Sequence, residues 1–414
     1  MTIILIKLSI AILLCICSIM IFLQRNRLAK LENAYGLQIV FLLIIFTRIV
    51  PFILIYLVLG QSPTSDVPIF FKQAWGVIQG KVIYRDIWLP YSPLFPYILA
   101  ILSNIWQESR SIVLTMVVIE ALAVVATYLL LPFEGQLLAA TLYLFSPASF
   151  VLTLLGGQED VWLWLFGLLL IIAIMRFGLV ATSGIAIIGL LSTKALFILP
   201  VIALVPFKKN RVAFLGWTGS VGLVILVLLL YLIGPSIFIP LSMGVLISPP
   251  NIWFTLNILF NGWLPLGSTI FAVVGLIIPL AIGTGFSLIH SDKRTSTWRQ
   301  LLAAWVVLFI SFMIFSPGTL ANYIMIYLLP CYWLAVYCRD QLGIYTILSL
   351  SVLSCIQPSL WYRLGSPSTS VQFFASPISL IEFLFELVML VLFVFLLIRC
   401  WHWAKLSPEH IRGM

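Results

Sequence analysis

In a chain of 414 residues with only 13 Asp and Glu and 22 Lys and Arg, few side chains are equipped for chemistry. Asp66 stands a few residues beyond the end of a long apolar run, in SPTSDVPIFF. A carboxylate there can take a proton from a hydroxyl brought to it, or it can cap the helix that follows. Arg85 and Asp86 sit in YRDIWLPYSP among Tyr84, Trp88 and Tyr91, a mixture of charge and aromatic rings suited to the boundary between water and lipid headgroups. Arg85 is the side chain best able to grip a phosphate through paired hydrogen bonds, and Lys81 lies just before it; Asp86 can equally do no more than pair with Arg85. Gln158, Glu159 and Asp160 end the turn GGQED and can cap the next helix, while Gln158 and Asp160 are also candidates to contact a substrate. Lys194 has apolar runs on both sides; an ammonium within a membrane hairpin is costly and therefore a functional candidate, unless it snorkels to the interface. Arg363, in SLWYRLGSP, is a candidate by position alone. Arg48 and Glu120 fall inside apolar runs, where they can pair with each other.

The elements that must position these groups follow from composition. The chain is 63% hydrophobic and 8% charged, with mean hydropathy +1.19, whereas a soluble domain is about half apolar and about a quarter charged. Such a chain needs lipid as its solvent. Its apolar runs have the length of membrane-crossing helices and lack the alternation of barrel strands. The net charge of +9 invites a nucleic-acid reading. However, the cations gather in short loops such as Arg25, Arg27 and Lys30 or Lys208, Lys209 and Arg211, the pattern of the positive-inside rule. Nucleic acid is thereby excluded as a partner. The six cysteines show no metal-ligand spacing, and His290, His402 and His410 fall on the cytoplasmic side as bystanders.

Placing every basic cluster in the cytoplasm yields thirteen helices, some short: Ile3 to Gln24, Gln38 to Gly60, Ser111 to Leu131, Gln136 to Leu155, Val161 to Met175, Ser183 to Thr193, Ala195 to Phe207, Val212 to Ile233, Leu264 to Ile289, Leu301 to Phe315, Gly318 to Cys338, Leu342 to Ile356 and Pro377 to Arg399. The expected fold is an all-α polytopic membrane protein, residues 1–414 forming one transmembrane domain. The first run is kept as a helix because its basic cluster follows the apolar core, the reverse of a signal peptide. Ser92 to Trp106 is short for a crossing and is read as juxtamembrane or re-entrant. Four irregular segments then share the outer face: Gln61 to Arg110, Gly156 to Asp160, Gly234 to Trp263 and Gln357 to Ser376. In the first of these, residues 61–110, PIFFKQAWGVIQGK carries Ile69, Phe70, Ala74, Val77 and Ile78 at helical spacing and is expected to lie along the membrane surface.

The stretch "D…F…G…IYRDIWLPYSPLFPYIL" resembles the first outer loop of membrane glycosyltransferases of the GT-C superfamily. LYLFSPASFVLTLLGGQEDVWLWLFGLLLI, GIAIIGLLSTKALFILPVIAL and LANYIMIYLLP resemble, in order, three later segments of its mannosyltransferase-like members. The likeness covers mainly residues 62–207. It implies transfer of mannose or another hexose from a polyprenyl-phosphate donor to a lipid or glycan acceptor at the outer face, with inversion. Asp66 would be the general base, and Lys81, Arg85, Lys194 and Arg363 would be candidates to stabilise the phosphate leaving group. The resemblance implies no cofactor and leaves a divalent metal open. Membrane lipids are the remaining partners, and a bacterial plasma membrane is the expected location. The chain departs from the family in having a helix before the usual first one and no Asp-x-Asp or Asp-Glu motif in the first loop.

A flippase or other transporter of a lipid-linked sugar would also combine many helices with a few buried charges, but the two related halves common in transporters are not visible here. A surface-polysaccharide polymerase or ligase would share the lipid-linked substrate and usually relies on a larger late loop.

Overall fold

The computed structural model of the chain describes residues 2–242, 247–291, 298–362, 374 and 376–406. Helices account for the architecture, and among these residues a lone bridge between Ile83 and Ile87 is the only sheet-like pairing. Eight of the described helices are long and apolar enough to cross a membrane, or nine if one bent pair counts as a span, the build of a multi-pass membrane protein.

The first two are α1 (Thr2–Leu23) and α2 (Arg25–Val58). The basic cluster therefore lies at the start of α2, where the sequence reading had a loop, and the helix runs on through a non-helical Tyr35. Next come α3 (Val67–Ile78) and α4 (Phe95–Ile105). Eleven residues give α4 a length of about 16 Å, half of a hydrocarbon core of about 30 Å, so Ser92 to Trp106 does not cross on its own. The helix expected in this loop forms, with Phe70 and Ala74 buried and Ile69 exposed.

α5 (Arg110–Leu130) is followed by α6 (Gln136–Leu144) and α7 (Ser149–Leu155), which meet at 55°. The elbow lies at Pro147, which has no backbone N–H to continue the helix. The carbonyls released there find other donors: Tyr143 O accepts from Ser149 Oγ at 2.6 Å, and Leu144 O from Arg48 Nη1 at 3.1 Å. The amide of Ala148 donates in turn to Ser351 Oγ at 2.7 Å. Arg48 itself sits where α2 widens its turns, and it forks onto Glu120 of α5 with contacts of 2.5 and 3.1 Å, both side chains fully buried. Tyr143 donates to the same carboxylate at 2.9 Å. The pairing expected from sequence is present, and every donor is used.

α8 (Val161–Arg176) and α9 (Leu179–Ser192) are short, and α10 (Ile198–Ala203) is flanked by single tight turns. α11 (Arg211–Ile233), α12 (Ile252–Leu259), α13 (Thr269–Ser291) and α14 (Trp298–Phe315) follow. α14 is the central post of the bundle, 89% of its apolar window being inside the protein. The helix expected over Gly318 to Cys338 is in fact two pieces, a tight 3-10 segment at Ala321–Ile326 and α15 (Leu328–Tyr337). α16 (Gln341–Trp361) continues through Pro358 beyond the expected end at Ile356, so the loop assigned from Gln357 begins later. α17 (Pro377–Lys405) closes the bundle.

Candidate functional site

Four separate parts of the chain meet at one end of the bundle: the start of α3, the turn between α7 and α8, the hairpin between α9 and α10, and the 3-10 segment before α15. The turn is possible because Gly157 adopts φ +60°, and a Cβ there would run into Val67 beside Asp66. The hairpin closes because Gly189 lets the Phe197 ring lie against its helix, where a Cβ would collide. Two backbone bonds dock the first loop on this hairpin: Ser92 N to Thr193 O at 3.2 Å and Leu94 N to Leu191 O at 2.8 Å.

Asp66 and Asp160 occupy N-cap positions, yet neither side chain caps its helix. Both turn into a shared network instead. Gln158 Nε2 donates to Asp66 Oδ2 at 2.9 Å and to Ser65 Oγ at 3.2 Å. Asn322 Nδ2 donates to Gln158 Oε1 and, at 3.2 Å, to Asp160 Oδ2. Lys194 Nζ meets Asp160 Oδ1 and Glu159 Oε1, each at 2.6 Å. Its ammonium also stands 4.5 Å from the centre of the Tyr323 ring and 5.5 Å from that of Tyr91, within the range of cation–π attraction. Tyr91 stacks on Phe95 at 4.4 Å and accepts the Tyr84 hydroxyl on its carbonyl at 2.7 Å, which fixes its position.

Depth divides the network. Asp160 and Glu159 are buried, whereas Asp66 is only half-buried and forms the rim. Burial and the nearby Glu159 charge raise the pKa of Asp66, more than the Gln158 hydrogen bond and the Lys194 ammonium lower it. Two buried atoms of the network, Glu159 Oε2 and Asn322 Oδ1, have no hydrogen-bond partner among the described residues. Tyr362, at the end of α16, is close enough to Asp66 for the two groups to interact electrostatically.

Of the residues singled out from sequence, Asp66, Gln158, Asp160 and Lys194 converge here. Arg85 and Asp86 do not join them. They form an exposed pair at 3.0 Å, with Asp86 also accepting from Val82 N, and Arg85 holds the Asp86 carboxyl below its ordinary pKa. Lys81 is exposed on the same loop, and Arg363 lies outside the described residues. Sequence reasoning missed Asn322 and gave Glu159 only a capping role. The polar break SPGTLANY within an apolar run was the available signal for Asn322.

With three carboxylates gathered around one ammonium, the site can accept protons and orient hydroxyl groups. Lys194 is already neutralised by two carboxylates, and it can reach a phosphate only by exchanging one of them. No family model matches this chain, and comparisons with curated proteins and with solved structures give no match either.

Proposed function

We propose that this protein is a membrane glycosyltransferase of GT-C type with about thirteen membrane helices, some of them short or half-length, moving a hexose from a polyprenyl-phosphate donor to a lipid or glycan acceptor at the outer face of a bacterial plasma membrane. The observation that carries this reading is the half-buried carboxylate of Asp66, turned away from capping and held at 2.9 Å by Gln158 at the mouth of an otherwise buried polar network.

In this reading Asp66 accepts the proton of the attacking acceptor hydroxyl, and its raised pKa matches it to that task. Gln158 keeps one carboxylate oxygen engaged so that the other faces the acceptor. Asn322, Asp160 and Lys194 act through Gln158 as positioning residues. The phosphate leaving group carries its own charge away, and Arg85 and Lys81, exposed on the docked loop, are the cations free to meet it at the rim, with Arg363 a further candidate. Arg85 does so by trading Asp86 for phosphate oxygens.

The test is transfer by the purified protein in lipid from radiolabelled polyprenyl-phosphate sugars, beginning with mannose, with a membrane extract as acceptor source. Asp66→Asn keeps the shape and removes the base, so it is expected to fold and bind donor while turnover drops by about 10²–10⁴-fold. Wild-type rates in that variant exclude Asp66 as base. Carrier binding without transfer from any donor favours the flippase instead.

A further inference from the structure

A second buried polar group lies where α16 and α17 pack together, away from the network around Lys194. Glu382 and Glu386 sit one helical turn apart on α17, both fully buried and close enough for their carboxyl groups to interact electrostatically. Gln357 of α16, 1% exposed, donates its Nε2 to Glu382 Oε1 at 2.8 Å. Ser354 lies one turn earlier on α16 and is fully buried.

What this group lacks is donors. Glu382 Oε2, both oxygens of Glu386, Gln357 Oε1 and Ser354 Oγ are all buried without a hydrogen-bond partner among the described residues. Among the described residues no protein cation supplies the missing charge. α12 and α16 carry no charged residue, α14 carries only Arg299 at its far end, and Arg399 of α17 is about 20 Å along the axis from Glu386. Lys7 of α1 binds Ser359, beside Cys355, and Cys331 of α15 faces Cys400. Phe254 of α12 packs on Trp361 at 4.9 Å, and Phe383, next to Glu382 in sequence, joins the same apolar cluster. Buried carboxylates in contact cannot both remain charged and uncompensated.

We propose that Glu382, Glu386, Gln357 and Ser354 bind a small monovalent cation. The unpartnered oxygens come from two carboxylates, an amide carbonyl and a hydroxyl, a hard donor set suited to sodium. One proton and one monovalent cation together neutralise the two carboxylates. A divalent ion fits less well: magnesium keeps several waters in strict octahedral geometry, and calcium takes six to eight oxygens. The Gln357 carbonyl oxygen is the feature that distinguishes this set from a mere acidic cluster, because the amide is already anchored on Glu382 and its oxygen receives no hydrogen bond from the described residues.

The experiment follows the thermal unfolding of the full-length protein in lipid nanodiscs as sodium chloride replaces choline chloride at constant ionic strength, with equilibrium binding of radioactive sodium in parallel. A saturable rise in Tm and a single bound sodium per chain are expected, with half-saturation moving to lower sodium as pH rises and the competing proton is lost. Glu386→Gln is expected to raise the half-saturating concentration by at least about tenfold, the loss that even an outer partner of a metal ligand causes. Should that variant not fold, Ser354→Ala must still weaken the sodium response relative to wild type. A Tm that follows ionic strength alone, a sodium response unchanged by either variant, or stabilisation by calcium and not sodium overturns the proposal.

Discussion

Two ion pairs in this protein are built from similar parts and finished differently. Arg48 and Glu120 lie deep in the bundle, and each guanidinium nitrogen has an acceptor: the carboxylate, the Leu144 and Thr47 carbonyls, and the Ser149 hydroxyl. Lys194, Glu159 and Asp160 lie near one end of the bundle, bound just as closely, but Glu159 Oε2 and Asn322 Oδ1 are left over. A knot with every atom used fixes helices against one another. A knot with spare acceptors, opening onto a half-buried carboxylate, keeps hydrogen-bonding capacity that the described residues do not use.

Substitutions that remove one partner from each knot test this contrast. Arg48→Met leaves Glu120 buried and unpaired, and should cost about 3–5 kcal/mol of stability, read as loss of folded protein or a lower denaturation midpoint in detergent. Adding Glu120→Leu should restore much of that loss, and failure to do so would mean that the knot does more than hold helices together. Lys194→Met should cost less stability, because its side chain is 13% exposed and the rim lets water or a proton compensate the Glu159 and Asp160 carboxylates it leaves behind, while transfer falls with donor affinity close to wild type, since Lys194 acts by positioning Gln158. If Lys194→Met instead unfolds the protein as readily as Arg48→Met, the two knots are alike and the contrast fails.

Asn322→Ala is subtler, because it cuts the link between Gln158 and Asp160 without touching a charge. Transfer should fall about tenfold or more while Tm stays close to wild type; a fall in Tm with normal transfer would make Asn322 a packing residue. The smallest expected effect concerns pH. The rate should rise with pH as the Asp66 carboxyl, with its raised pKa, loses its proton. The Glu159 charge contributes to that rise in pKa, so Glu159→Gln should move the acid limb of the rate profile to lower pH. A limb that stays in place would separate Glu159 from the base.

The sequence reading located helices such as α5 and the more exposed α11, because long apolar runs with cations at their ends leave few alternatives. It also found Arg48 with Glu120 and singled out Lys194, since a charge within an apolar run is conspicuous, but it did not pair Lys194 with Glu159 and Asp160, which lie in the polar turn GGQED. It drew Gly318 to Cys338 as one helix because hydropathy records burial and is blind to which backbone group bonds which. Asn322 was lost with that error: its role depends on Gln158 lying across the bundle, a distance in space with no trace in sequence. Pro358 misled in the opposite direction, since α16 carries it and continues to Trp361.

The elbow at Pro147 also sets a clock on synthesis. The Ala148 amide that it leaves over is taken by Ser351, 203 residues further along. At about 5–20 residues per second, that acceptor leaves the ribosome about 10–40 s after the donor. Until then the first half of the bundle holds an unfinished joint, and a chain halted before α16 would be expected to display it to whatever surveys the membrane for incomplete proteins.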